Sequence, residues 1–179
     1  MEFTFFKTEG GRRLLSSDIV VGKEAGRVAE VSSSSRSRVS EAQFMESLDE
    51  NGRPVFERLL ARAKANGFPI HWGTKGFSMN VDLAGTHVTF CYGYPPHCVF
   101  KQSLYTALVG QGGLIGKIDA SEGLTASLRA DAQETGLFQP AGNEFKCVID
   151  RALSEEEINR LISWCELTAR TIKEHGLPE

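Results

Sequence analysis

Two alternating segments, Phe77–Leu83 and His87–Tyr92, meet at Ala84-Gly85, and this junction restricts the fold more than any other feature. So short a connection closes only an antiparallel hairpin, because parallel neighbours need a crossover of a dozen residues or more. Along the second segment Val88, Phe90 and Tyr92 alternate with His87, Thr89 and Cys91, which predicts two distinct sheet faces. Ile70 to Trp72 reads as a strand ahead of the hairpin. Asn143 to Asp150 reads as another, with Phe145, Cys147 and Ile149 on one face, and Cys98 to Phe100 adds a short optional one. No Gly-rich turn links strand to helix in a repeating βα pattern, and no internal repeat is present.

The other segments have helical spacing. Ser40 and Gln43 form a capping box that opens a helix running to about Leu48, and Asn51-Gly52 breaks it. Pro54 lies in the first turn of a second helix striped by Val55, Leu59, Leu60 and Ala63 and ended by Gly67. Phe100, Leu104 and Leu108 recur at helical spacing until Gly110 to Gly113, and a further helix runs from about Ser121 to Thr135. The last helix starts at a Ser154/Glu157 box and carries Ile158, Leu161, Ile162, Cys165, Ala169 and Ile172 as far as Gly176-Leu177-Pro178. The expected fold is therefore α+β: a small antiparallel or mixed sheet with helices mainly on one face, in the order ααβββ(β)ααβα, preceded by a flexible arm.

In that arm, Phe3 to Phe6 and Ile19 to Val21 read as a strand pair around Glu9-Gly10-Gly11, within a segment 1–24. Residues 25–39 include Ser32 to Arg38, a Ser/Arg run too poor in apolar surface to offset its ordering entropy, and read as a linker; the domain proper is 40–179. A chain of 179 residues can bury about 70% of its unfolded surface and needs no disulfide or metal for stability. Its four cysteines, Cys91, Cys98, Cys147 and Cys165, are expected as free thiols in a cytoplasmic setting. No apolar run reaches the roughly 20 residues of a membrane span, and no signal peptide is legible at the start. The net charge of −3 argues against a strongly basic nucleic-acid binder. The division is uneven: seven Lys/Arg against five Asp/Glu in residues 1–40, and 13 against 18 in the remainder.

Several groups carry candidate chemistry. In His71-Trp72-Gly73-Thr74-Lys75-Gly76-Phe77, two glycines flank Lys75 on a turn. Such a turn can present backbone N–H groups to an anion, or it can be an ordinary Gly-rich hairpin whose glycines supply positive φ while Trp72 packs in the core. Arg58 and Arg62 lie one helical turn apart. With Arg36, Arg38 and Lys75 they form a candidate phosphate-binding set, against the alternative of a solvated helix face. Trp72, Tyr92 and Tyr94 are candidate contact aromatics. Glu144-Phe145-Lys146 has the E-x-K spacing of metal-dependent nucleases, in which a strand puts both side chains on one face, but an acidic partner on a neighbouring strand is not identifiable. Cys91, Cys98 and His97 lack zinc-knuckle spacing, and adjacency of His97 and Cys98 is poor evidence for a nucleophilic pair. Neither metal nor cofactor is expected.

The run from Pro54 to Leu108, with its helix ending in Gly67, the His71–Phe77 motif and a hairpin ending in Tyr92-Gly93-Tyr94-Pro95, resembles a group of uncharacterised bacterial domains. These lie at the C-terminal end of larger proteins, some behind restriction-type nuclease segments. The resemblance covers roughly residues 40–176. It implies an accessory domain in a nucleic-acid or defence system and supplies no catalytic residues. The expected function is a non-catalytic accessory or binding domain contacting nucleic acid weakly, or a protein partner, with no membrane partner. The alternative is a metal-dependent nuclease using Glu144 and Lys146. A self-associating module is a third class, for which exposed apolar N-terminal strands would be the sign.

Overall fold

The computed structural model describes residues 2–7, 13–18, 37–110, 113–118 and 122–175. The chain divides into two compact units, Met1–Ser35 and Arg36–Glu179. In the first, β1 (Glu2–Lys7) pairs antiparallel with β2 (Arg13–Asp18), in a register running from Glu2 opposite Asp18 to Lys7 opposite Arg13. The expected strand pair is present, but its second member lies before Ile19 to Val21. The chain returns at once after the Glu9-Gly10-Gly11 signal, where loop closure costs least. Ile19 to Val21 and the Ser32 to Arg36 run lie outside the described residues.

The second unit is α+β. Helix α1 (Glu41–Ser47) starts at the expected capping box: the Ser40 hydroxyl accepts from the Gln43 N–H and the Gln43 side chain accepts from the Ser40 N–H. Helix α2 (Gly52–Ala65) buries Val55, Phe56, Leu59, Leu60 and Ala63 and is followed by Gly67 at φ +68. Six strands follow: β3 (Ile70–Trp72), β4 (Phe77–Leu83), β5 (Thr86–Tyr94), β6 (Ser103–Thr106), β7 (Gln139–Ala141) and β8 (Glu144–Val148). Every pairing is antiparallel, and the spatial order is β3-β4-β5-β6-β8-β7. Helix α3 (Glu122–Glu134) precedes β7, and α4 (Glu155–His175) closes the domain.

The helices cover one sheet face. Phe44 of α1 meets Phe56 of α2 edge-on at 5.1 Å and Phe77 of β4 at 5.2 Å, and Trp164 of α4 packs on Phe90 and Phe138. On α3, Leu124 and Leu128 are buried, and Arg129 lies over the Phe145 ring. Among the described residues no helix is long and apolar enough to cross a membrane.

Four expectations need correction. The Phe100/Leu104/Leu108 run is not a helix: Leu104 pairs with Gly93 on one side and Cys147 on the other, and two neighbouring strands outweigh a short amphipathic spacing. Cys98 to Phe100 is a turn, not a strand, and ends at Lys101 with φ +58. Strand β7 was hidden by Pro140, which an edge strand tolerates. The body therefore runs ααββββαββα. Finally, strict alternation fails in β5. The register shifts between Met79 and Asn80, so Thr89 opposes Asn80, Cys91 opposes Met79, and Phe90 is the extra residue. This bulge turns Cys91 into the core with Val88 and Phe90, while Tyr92 moves to the opposite face.

Candidate functional site

The sheet face opposite the helices carries the most distinctive surface. From the strand registers, His71, Ser78, Tyr92, Tyr105, Lys146 and Gln139 form one transverse row across all six strands. At about 4.8 Å per strand the row is roughly 24 Å long. The bulge in β5 is what places Tyr92 and Tyr94 here. Tyr94 stacks on Phe100 at 4.4 Å, Tyr92 lies 6.1 Å from Tyr94, and Phe100 meets Tyr105 edge-on at 5.8 Å. The Tyr105 hydroxyl donates to the Ala141 carbonyl at 3.0 Å, which ties the cluster to the sheet's far edge.

These rings border a cleft of about 420 Å³ lined by His71, Lys75, Ser78, Tyr92, Tyr94 and Phe100, among others. The Lys75 ammonium lies 5.8 Å from the centre of the Phe100 ring. A second cleft of about 460 Å³ shares Thr74 and Lys75 with the first and extends to Arg38, Gln43, His97 and Cys98. Among the described residues no Asp or Glu lines either cleft. Burial pushes the Tyr94 phenol up to about 12, helped by the neighbouring Tyr92, Cys98 and Tyr105. Burial also raises Tyr92, with the Glu144 charge adding to it. Both rings thus stay neutral at physiological pH, and the clefts carry positive charge only.

Glycine builds this region in a different way from that expected. Neither Gly73 nor Gly76 has positive φ. The turn closes through the Gly73 N–H donating to the Gly76 carbonyl at 2.8 Å. What Gly76 and Gly93 provide is close approach. A Cβ on Gly76 would sit 2.1 Å from the Gly93 oxygen, and one on Gly93 would sit 2.2 Å from the Phe77 ring. The start of β4 and the end of β5 can therefore lie against each other beneath the cleft.

The candidate aromatics come together and the arginines separate. Trp72 is half-buried, packs against Phe44 and Phe77, and lines the first cleft together with Tyr92 and Tyr94. Arg58 and Arg62 lie in a groove between α2 and α4, away from Lys75. Arg58 donates to the Asn159 side chain at 2.8 Å, and Arg62 pairs with Glu166 at 2.5 Å. Arg62, with a contribution from Asn66, lowers the Glu166 carboxyl below its ordinary value, although burial opposes the shift. Arg38 alone of the distant arginines adjoins Lys75, through the second cleft, and Arg36 lies outside the described residues.

The E-x-K pair also divides. One Glu144 oxygen accepts from the Thr106 hydroxyl at 2.6 Å and the Leu108 N–H at 3.1 Å; the other accepts from the N–H groups of Val109 at 2.6 Å and Gly110 at 3.0 Å. Four donors occupy the four lone-pair positions of a carboxylate. Glu144 thereby pins the segment after β6, and Lys146 joins the transverse row. Among the described residues no three His, Cys, Asp or Glu side chains come together as metal ligands. Cys91, Cys147 and Cys165 are buried, and burial raises Cys147 to about 12. Cys98 donates to the Pro95 carbonyl at 3.3 Å.

Sequence reasoning missed Phe100 and Tyr105 because both were assigned to a helical run; the aromatic spacing Tyr92, Tyr94, Phe100, Tyr105 was the available signal. Comparison with family models, curated proteins and solved structures finds no match.

Proposed function

We propose that the body of this chain is a non-catalytic binding domain whose open sheet face holds single-stranded nucleic acid. The observation that carries this reading is the pair of adjoining clefts lined by stacked aromatics and by Lys75, Arg38 and His97, with no carboxylate among the described residues, on a domain that is otherwise acidic. Unpaired bases stack on exposed aromatic rings whatever their identity, and cations beside the rings neutralise phosphates. A duplex keeps its bases stacked inside and gains only the charge contacts. Tyr92, Tyr94 and Phe100 are the stacking platform, and Lys75, Arg38 and Lys146 are the phosphate-facing groups. Arg58 and Arg62 are left out of the set, since they lie in a separate groove between α2 and α4. The resemblance over Pro54 to Leu108 adds the setting: a cytoplasmic accessory domain of a bacterial nucleic-acid or defence system.

The test is fluorescence anisotropy of the full chain with labelled single- and double-stranded DNA and RNA across a salt series. The expected result is weak, sequence-tolerant and salt-sensitive binding that favours single strands and is reduced by Tyr92→Ala and by Tyr94→Ala. Absence of binding at low salt would overturn the reading and leave a protein partner as the occupant of this face. Equal binding of duplex and single strand would remove the stacking role.

A further inference from the structure

At one end of the same sheet face, two exposed histidines from different strands reach across β4 toward each other. His87 Nδ1 and His71 Nε2 are 2.9 Å apart, and the ring centres are 4.7 Å apart with planes inclined at 40°. The strands that carry them are locked together beneath. The buried Asn80 side chain donates to the Pro69 carbonyl, the Ser78 carbonyl and the Ser78 hydroxyl, and accepts from the Thr89 hydroxyl at 2.6 Å. Asn80 therefore joins the chain entering β3, β4 itself and β5 at the place where the two histidines project. The pair rests on strands held together beneath it, so the two rings start from a fixed backbone separation.

We propose that His71 and His87 form a two-histidine clamp for a divalent transition-metal ion of the copper or nickel type. Neutral imidazole nitrogen is a strong ligand for such ions. With metal–nitrogen bonds of about 2.05 Å, nitrogens that stay near the 2.9 Å of the hydrogen-bonded pair subtend about 90° at the ion. That angle is the cis angle of square-planar or tetragonal coordination. A tetrahedral zinc ion would need the nitrogens about 3.35 Å apart. The ring that now donates moves its proton to its other nitrogen, both lone pairs turn to the ion, and no proton need leave the pair. Among the described residues no third His, Cys, Asp or Glu side chain joins the pair, so the chain supplies two donors and the remaining positions fall to water or an incoming ligand.

The experiment is calorimetric titration of the full chain with copper(II), nickel(II) and zinc(II) chloride in a non-chelating buffer, with electron paramagnetic resonance of the copper form. The expected result is one copper ion per chain with two equatorial nitrogens, nickel weaker than copper, and zinc weaker than copper. His71→Ala and His87→Ala should each lower copper affinity about tenfold or more, because a chelate becomes a single ligand, and reduce the nitrogen count to one. Both residues are exposed, so thermal unfolding of the variants should match wild type. His97→Ala should leave copper binding unchanged. Copper affinity and spectrum unaltered by either substitution would place the ion elsewhere and overturn the proposal, as would zinc bound more tightly than copper. Loss of oligonucleotide binding leaves these readouts untouched, so the clamp stands or falls separately from the nucleic-acid reading.

Discussion

The domain presents cations in two settings, and the contrast explains why charge alone is a poor guide to its surface. In the α2–α4 groove, Arg62 is ion-paired with Glu166 and Arg58 donates to the neutral Asn159 side chain. On the open sheet face, Lys75 and Arg38 lie beside rings and glycines, and among the described residues no carboxylate pairs with either. Two arginines one helical turn apart look like a phosphate site in sequence, yet their partner comes from a helix about a hundred residues later. A single lysine between glycines looks like an exposed turn and is one, and it also sits where two clefts meet. Glu144, whose charge acts on Tyr92, is committed to backbone N–H groups. What distinguishes the two surfaces is where the fold has placed its acids.

The largest expected effect probes that commitment. Glu144→Ala removes four charge-assisted hydrogen bonds, three of them partly buried, and should cost about 2–4 kcal/mol of stability by urea unfolding. If the loss is below about 0.5 kcal/mol, the carboxylate is dispensable to the fold and the nuclease reading of Glu144 and Lys146 regains ground.

Next comes the platform. Tyr94→Ala should weaken single-strand binding by about 1–3 kcal/mol, the contribution of one stacked base, while duplex binding changes little. A uniform loss on both substrates would mean that the ring acts through the fold rather than through a base.

A smaller pair of effects compares the cations directly. Lys75→Ala should lower the log–log salt slope of binding by about 1. Arg62→Ala should leave the slope unchanged and cost at most about 1 kcal/mol of stability, as for other exposed ion pairs. Reversed outcomes would exchange the roles of the two surfaces.

The smallest effects are in pH, and they have opposite signs. Glu166 has a lowered pKa, so its contribution is present above its ordinary range and is lost as pH falls through the folded value. Tyr94 is raised from 10.0 to about 12, so between those values the folded chain keeps a proton that the unfolded chain releases, and stability declines as pH rises. Denaturation followed across pH should show Arg62→Gln flattening the acid limb and Tyr94→Phe flattening the alkaline one. If each variant altered the other limb, the electrostatic assignment would fail.

Much of the architecture was legible from local chemistry. The Ser40/Gln43 box, the Ala84-Gly85 turn and the α4 stripe all appear where spacing puts them, because each depends on residues within a few positions. Long-range pairing was not legible. Leu104 has a helical neighbour pattern but two strand partners, and Pro140 concealed an edge strand. The site was hardest to read because it depends on one inserted residue. Extending the hairpin register without a bulge puts Tyr92 opposite Phe77 on the core side, whereas the shift at Met79/Asn80 puts it opposite Ser78. Nothing local to Phe90 announces that shift. The His71–His87 pair is invisible for the same reason, since only the assembled sheet brings the two rings together.

The Glu144 pin also bears on the order in which the chain can be completed. The segment from Leu108 to Gly110 takes its hydrogen-bond partner from a residue 34 to 36 positions later, so it cannot settle while the chain is being made until β8 has emerged. The β4–β5 hairpin closes over a few residues and has no such wait. Assembly is thus divided into an early local half and a late half that one carboxylate completes. Pulsed hydrogen exchange during refolding should find the amides of Leu108, Val109 and Gly110 gaining protection in step with β8, after those of the hairpin.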